Sequence, residues 1–246
     1  MTLEFYIFGS LIFLVSAMLQ GFTGFGFSIL AIPLITLFIS PKTAIPILVI
    51  YSVVLNILVF WSARKAFDLK KIWVLMISGV IGVPIGTRLL IALNDNILKL
   101  FIGILITVFG TLLLLGFRKS IKREKLSMIP IGIGSGILSG SVSIGGPPII
   151  LFMSNQGTNK EIFRANLSVY FLTLNIFTVP VYFLSGLITK EVTEYSLKFF
   201  PALVIGVIIG NLFSKKMKEK HFKTITLSLL IVMGILSVVS GLKGFF

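Results

Sequence analysis

No cysteine occurs among the 246 residues, and histidine occurs once, as His221 inside a basic stretch. Disulfides, thiolate metal sites and cysteine nucleophiles are therefore excluded. Acidic residues are nearly as scarce. The eight carboxylates (Glu4, Asp68, Asp95, Glu124, Glu161, Glu191, Glu194 and Glu219) all fall at the ends of apolar runs or between them. A carboxylate deep in a membrane span is the usual element of a proton relay or a cation site, so its absence argues against a cation pump. Metal-ligand spacings, a nucleotide-binding glycine loop and a nucleophile–base pair are also missing. The chain reads as a protein that is not an enzyme and needs neither metal nor cofactor.

What the chain has instead is apolar length. Hydrophobic residues make up 56% and charged residues 12%, with a mean hydropathy of +1.08. A soluble domain of this size could not bury so much apolar surface while keeping its exterior in water. The apolar runs recur along the whole chain, most of them near the ~20 residues a helix needs to cross the hydrocarbon. The formal charge of +14 would suit a nucleic-acid binder if it were clustered. The 22 Lys and Arg sit mostly between the apolar runs, which is the pattern of membrane-loop anchoring. The partner implied is the lipid bilayer, with no nucleic acid. The opening MTLEFYIFGSLIFLVSAMLQG has neither a basic n-region nor a small-x-small cleavage site, so it is read as structure rather than as a signal peptide.

The sequence repeats itself in order. YSVVLNI at 51–57 returns as YFLTLNI at 170–176, which pairs Asn56 with Asn175 at an offset of 119. VIGVPIG at 80–86 returns as VIGVIIG at 204–210, at an offset of 124 that also pairs Lys99 with Lys223 and Gly110 with Gly234. Two halves follow from this, the second longer by about five residues around 185–195. Each half opens with an apolar segment broken by glycine: 5–39, interrupted by GFTGFGF at 21–27, and 126–155, interrupted by SGSVSIGGPP at 139–148. Three plain spans follow each break. The first repeat is thus 1–117 (hairpin 5–39, spans 43–62, 72–92 and 97–117). A basic linker, 118–125, leads to the second repeat, 126–246 (hairpin 126–155, spans 164–185, 195–213 and 222–241).

Charge decides whether the broken segments cross the membrane. If each crosses once, Lys and Arg divide 12 to 10 between the two sides, which specifies no orientation. If each is a re-entrant hairpin, the division is 16 to 6. The second arm after the later break, residues 147–155, reaches about 14 Å at 1.5 Å per residue and cannot span. Two re-entrant hairpins, each followed by three crossings, make the second half inverted relative to the first. The sequence therefore predicts an all-α polytopic membrane protein of two inverted repeats, with the basic side cytoplasmic and both ends of the chain outside. Broken helices in inverted repeats are a recurring architecture of secondary transporters, with the site near the midplane where the repeats meet.

Irregular backbone at membrane depth is tolerated only inside protein or against a wet cavity. Each break also ends where a short helix begins, and a helix N-terminus offers unpaired N–H groups and a positive partial charge to an anion. The candidate binding residues are Gln20, Thr23, Gly24 and Gly26 in the first break, with Ser28 beside them, and Ser141, Ser143, Gly145 and Gly146 in the second. The donors of Ile149 and Ile150 follow Pro147 and Pro148, which have none. Asn56 and Asn175 are added because they are equivalent residues near the middle of equivalent spans. Arg164, at the start of a span, is either an interfacial anchor or an anion ligand. The competing reading of the glycines is that they only allow tight turns and close helix packing. For Gly82, Gly86, Gly206 and Gly210, with their small-xxx-small spacing, packing is the preferred reading.

At these motifs the chain resembles the sulfite exporter TauE/SafE family of membrane permeases. The resemblance rests on QGFTGFGFSILAIPLI at 20–35, on GILSGSVSIGGPPIILFMSNQG at 136–157 and on FRANLSVYF at 163–171, within a duplicated layout that covers essentially the whole chain. GFGF stands where many relatives carry a longer run of glycines. The resemblance implies export or uptake of sulfite, a sulfonate or a related small organic anion, and the helix-terminus argument gives the same sign of charge. The expected partner is thus a small anionic solute, moved by alternating access. A channel-like facilitator with the same site, and a membrane assembly subunit in which the polar breaks only bind helices together, remain the alternatives.

Overall fold

The computed structural model describes residues 3–114, 124–155 and 160–214. Within them the chain forms α1 (Leu3–Thr23), α2 (Phe27–Ile35), α3 (Pro41–Ala63), α4 (Trp73–Ala92), α5 (Asp95–Leu114), α6 (Glu124–Val142), α7 (Gly146–Asn155), α8 (Lys160–Leu184) and α9 (Lys190–Ser214). Two single 3₁₀ turns, Arg64–Ala66 and Leu69–Lys71, join α3 to α4, and the described residues include no strand. Among the described residues, five stretches are long and apolar enough to cross a membrane: Leu3–Thr23, Pro41–Ala66, Trp73–Ala92, Glu161–Leu184 and Lys190–Phe213. The chain is an all-helical, multi-pass membrane protein. The expected span 222–241 lies outside the described residues, as do most of the linker 118–125 and the end of the expected span 97–117.

Both breaks fall where glycine and serine interrupt the apolar run. α1 ends and α2 begins across Gly24–Gly26, with Gly24 at φ 85° and Gly26 at φ 98°. α6 and α7 are separated at Ser143, whose φ of 57° is a left-handed conformation that non-glycine residues seldom adopt. The two turns are built alike: Gly24 N–H donates to the Gln20 carbonyl at 2.7 Å and Ser143 N–H to the Ser139 carbonyl at 3.0 Å. These are the same positions 119 residues apart. The rings of Phe5 and Phe8 pack on Phe38, so the two arms of the first broken segment open at the same end. α2 and α7 have 9 and 10 residues, too short to cross by themselves.

The halves are interleaved rather than stacked side by side. α1 packs chiefly on α9 and α6 on α4, while α3 packs on α8. Glycines make these pairings close. A methyl group added at Gly82 or Gly86 would come within 3 Å of the carbonyl oxygens of Ile133 and Ile137 on α6. One added at Gly206 or Gly210 would meet those of Leu14 and Met18 on α1. Ile133 and Ile137 follow Leu14 and Met18 by 119 residues, and Gly206 and Gly210 follow Gly82 and Gly86 by 124. At these four glycines the repeat in sequence is a repeat in packing. Without a hydrophobic drive between helices in lipid, such backbone proximity is what holds them together.

Candidate functional site

The two breaks meet, and a cavity of about 40 Å³ lies between them. That is room for roughly three water-sized atoms. It is lined by Gln20, Phe25, Gly26, Ser28, Ile29, Ser52 and Asn56 from the first half, and by Ser139, Ser143, Ile144, Gly145, Gly146, Phe171 and Asn175 from the second. Ten of these fourteen form five pairs 119 residues apart: Gln20 with Ser139, Phe25 with Ile144, Gly26 with Gly145, Ser52 with Phe171, and Asn56 with Asn175. The cavity therefore sits where equivalent parts of the two halves come together.

Its polar groups are positioned by one another. The Gln20 amide donates to Asn56 Oδ1 at 2.9 Å, and its own oxygen accepts from Phe27 N–H at 3.2 Å. This clamps the start of α2 to α3. Gly26 serves as the N-cap of α2 without a side-chain cap, so the N–H groups of Ser28 and Ile29 in the first turn have no intrahelical acceptor. Across the cavity, Ser135 Oγ donates to the Gly145 carbonyl at 2.5 Å, which fixes the turn that leads into α7. Ser28 Oγ and Ser143 Oγ lie 3.0 Å apart and join the tips of the two broken segments. None of the lining residues carries a formal charge. The donors at the lining are hydroxyls, carboxamides, the free N–H groups in the first turn of α2 and, at the start of α7, the N–H of Gly146 ahead of Pro147 and Pro148, all of them neutral.

Seven of the eleven expected residues line this cavity: Gln20, Gly26, Asn56, Ser143, Gly145, Gly146 and Asn175. The other four are placed elsewhere, each for a visible reason. The Thr23 hydroxyl is taken up by the turn, donating to the Leu19 carbonyl at 2.8 Å and accepting from Phe25 N–H at 3.1 Å. Gly24 faces Arg164, whose Cγ would lie 3.1 Å from a methyl group added there. Ser141 lies two residues from Ser143 and Ser139, a step that turns a helical side chain to another face. Its backbone packs beside Gly86 of α4. Arg164 is buried, and its Nη2 donates to the Gly21 carbonyl at 2.7 Å and to Asn211 Oδ1 at 3.3 Å. It thereby ties α8 to the C-terminal turn of α1, where a cation is electrostatically favoured, and to α9. Ile149 and Ile150 belong to the apolar core rather than to the cavity.

Lining residues that motif reading passed over are Phe25, Ile29, Ser52, Ser139, Ile144 and Phe171. A signal for two of them was present. Ser52 and Phe171 precede Asn56 and Asn175 by four residues, the spacing that puts helical side chains on one face.

Among known proteins, the family model described as Sulfite exporter TauE/SafE matches residues 9–237. No curated protein and no solved structure matches the chain significantly.

Proposed function

Since the chain belongs to the sulfite exporter TauE/SafE family of membrane transporters, we propose that it carries a small oxyanion of the sulfite or sulfonate type by alternating access. The observation that carries this reading is the cavity between the two broken segments, where paired neutral donors and two helix N-termini converge without a charged side chain. Gln20, Ser28, Asn56, Ser143, Asn175 and the backbone at Gly26, Gly145 and Gly146 would bind the solute. Two inverted halves would supply the two gates, exposing the site first to one side and then to the other. Arg164, outside the cavity, would act as a joint between the halves rather than as a ligand.

The test is sulfite flux into vesicles that contain the purified protein. A saturable rate, competed by small sulfonates and absent from empty vesicles, is the expected result. A rate that rises linearly with sulfite would indicate a channel, and absence of flux of both sulfite and small sulfonates in a folded protein would overturn the reading.

The topology that goes with this reading is separately measurable. Reporter fusions in the loops near Lys65, Lys122 and Lys218 are expected to be cytoplasmic, and one after Lys243 extracytoplasmic. A cytoplasmic signal at Lys243 would rule out the inverted arrangement.

A further inference from the structure

The five paired positions of the cavity are alike in character except at one. Gln20 and Ser139 are both polar, Phe25 and Ile144 both apolar, Gly26 and Gly145 identical, and Asn56 and Asn175 identical. The remaining pair sets a serine, Ser52, against an aromatic ring, Phe171. Both stand one helical turn before the asparagines, Ser52 on α3 and Phe171 on α8, two helices that pack on each other. The duplicated backbone offers the same place twice, and one copy is filled.

The ring at that place is held. Phe171 packs edge-on against Tyr170, with centroids 5.2 Å apart, and Tyr170 is fully buried. Its far end reaches the start of α7, where a methyl group added at Gly146 would lie 3.7 Å from the ring's Cζ. The ring therefore forms a wall beside one of the two helix N-termini, and the space left is the about 40 Å³ described above. A wall of this kind is apolar, donates nothing to an oxyanion and limits only what is attached to it.

We propose that Phe171 is the specificity-determining residue that sets the upper size of the solute, excluding anions whose organic tail is longer than a carbon or two. The inference rests on the cavity being the solute site. It goes further by assigning the size limit to one ring and by predicting that a ring at its counterpart Ser52 would close the cavity.

The experiment measures sulfite flux in vesicles with methanesulfonate, ethanesulfonate and propanesulfonate as competitors, for wild type, Phe171→Ser and Ser52→Phe. In the wild type, competition should weaken sharply from methane- to propanesulfonate. In Phe171→Ser, propanesulfonate should compete roughly tenfold or more better, the usual weight of a methylene that gains or loses a pocket, while sulfite flux persists. Ser52→Phe should abolish sulfite flux in protein that still inserts and elutes as a single species. An unchanged chain-length order in Phe171→Ser overturns the proposal. If that variant does not insert, Phe171→Val serves in its place and should shift the order in the same direction, and its failure to do so overturns the proposal equally. Failure of the cavity reading looks different: the wild type itself would show no saturable sulfite flux, and both ideas would fall together.

Discussion

Ser143→Asp should insert and fold like the wild type and carry no anion. Ser143 lies at the tip of the second broken segment, with its hydroxyl 3.0 Å from that of Ser28, so an aspartate there puts a fixed negative charge among the donors proposed to bind the solute. The backbone will accept it. The φ of 57° at this position is one that Asp and Asn occupy more readily than most residues. The attraction to be overcome is modest. A partly buried helix terminus contributes up to about 2 kcal/mol, and hydrogen bonds to a charged group about 1.5–3 kcal/mol each. With no cationic side chain lining the cavity, a resident carboxylate would use those same donors and repel a second anion. Anion flux at or near background, beside normal yield and a normal thermal midpoint, is the expected outcome. Wild-type flux through a well-folded Ser143→Asp protein would place the solute path elsewhere. Ser143→Asn has similar shape without the charge and should retain part of the flux, which separates electrostatics from size.

Gly82→Leu should fail differently, by loss of folded protein. A single added methyl group at Gly82 would already press within 3 Å of the Ile133 carbonyl oxygen and the Ile137 nitrogen. Leucine would force α4 away from α6 along one of the molecule's most extensive helix pairings. Overpacking a close-fitted interior typically costs about 1–3 kcal/mol. Here the obstacle is backbone rather than a movable side chain, so the effect should lie at or beyond the upper end. Gly206→Leu should behave the same way on α9, where the Leu14 carbonyl of α1 takes the place of Ile133. Gly134→Ala is the control: nothing lies within 4 Å of the added carbon, and yield should be unchanged. Size-exclusion profiles and thermal midpoints of the detergent-purified proteins measure all three. A stable Gly82→Leu protein with altered solute preference would mean that this glycine stripe belongs to the transport site.

These two kinds of failure reflect how differently the site and the packing are written in the chain. The break positions were legible because glycine runs and a proline pair interrupt helices that lipid otherwise favours. α1 stops at Thr23 and α7 starts at Gly146, inside the motifs read from sequence. The asparagine pair was legible because duplication marked it: Asn56 and Asn175 stand at one offset and both reach the cavity. Close packing at Gly82 and Gly206 was legible because small residues four apart have few other uses in a membrane helix.

What only the tertiary structure decided is which polar groups turn inward. Thr23, Ser141 and Arg164 offer hydrogen-bond donors as Gln20, Ser139 and Ser143 do, yet the first three are spent on a turn, on the α4–α6 interface and on the Gly21 carbonyl. In a soluble helix the polar face reveals its orientation, because water is on one side and the core on the other. In lipid both the outer face and the core are apolar, so periodicity carries little of that information, and a serine can satisfy its hydroxyl on its own helix. Composition and repetition were enough to determine membrane class, the repeat and the two breaks. The meeting of Ser28 with Ser143, 115 residues apart, and the placing of Phe171 opposite Ser52 depended on α1 crossing to α9 and α6 to α4, an exchange between halves that no local pattern encodes.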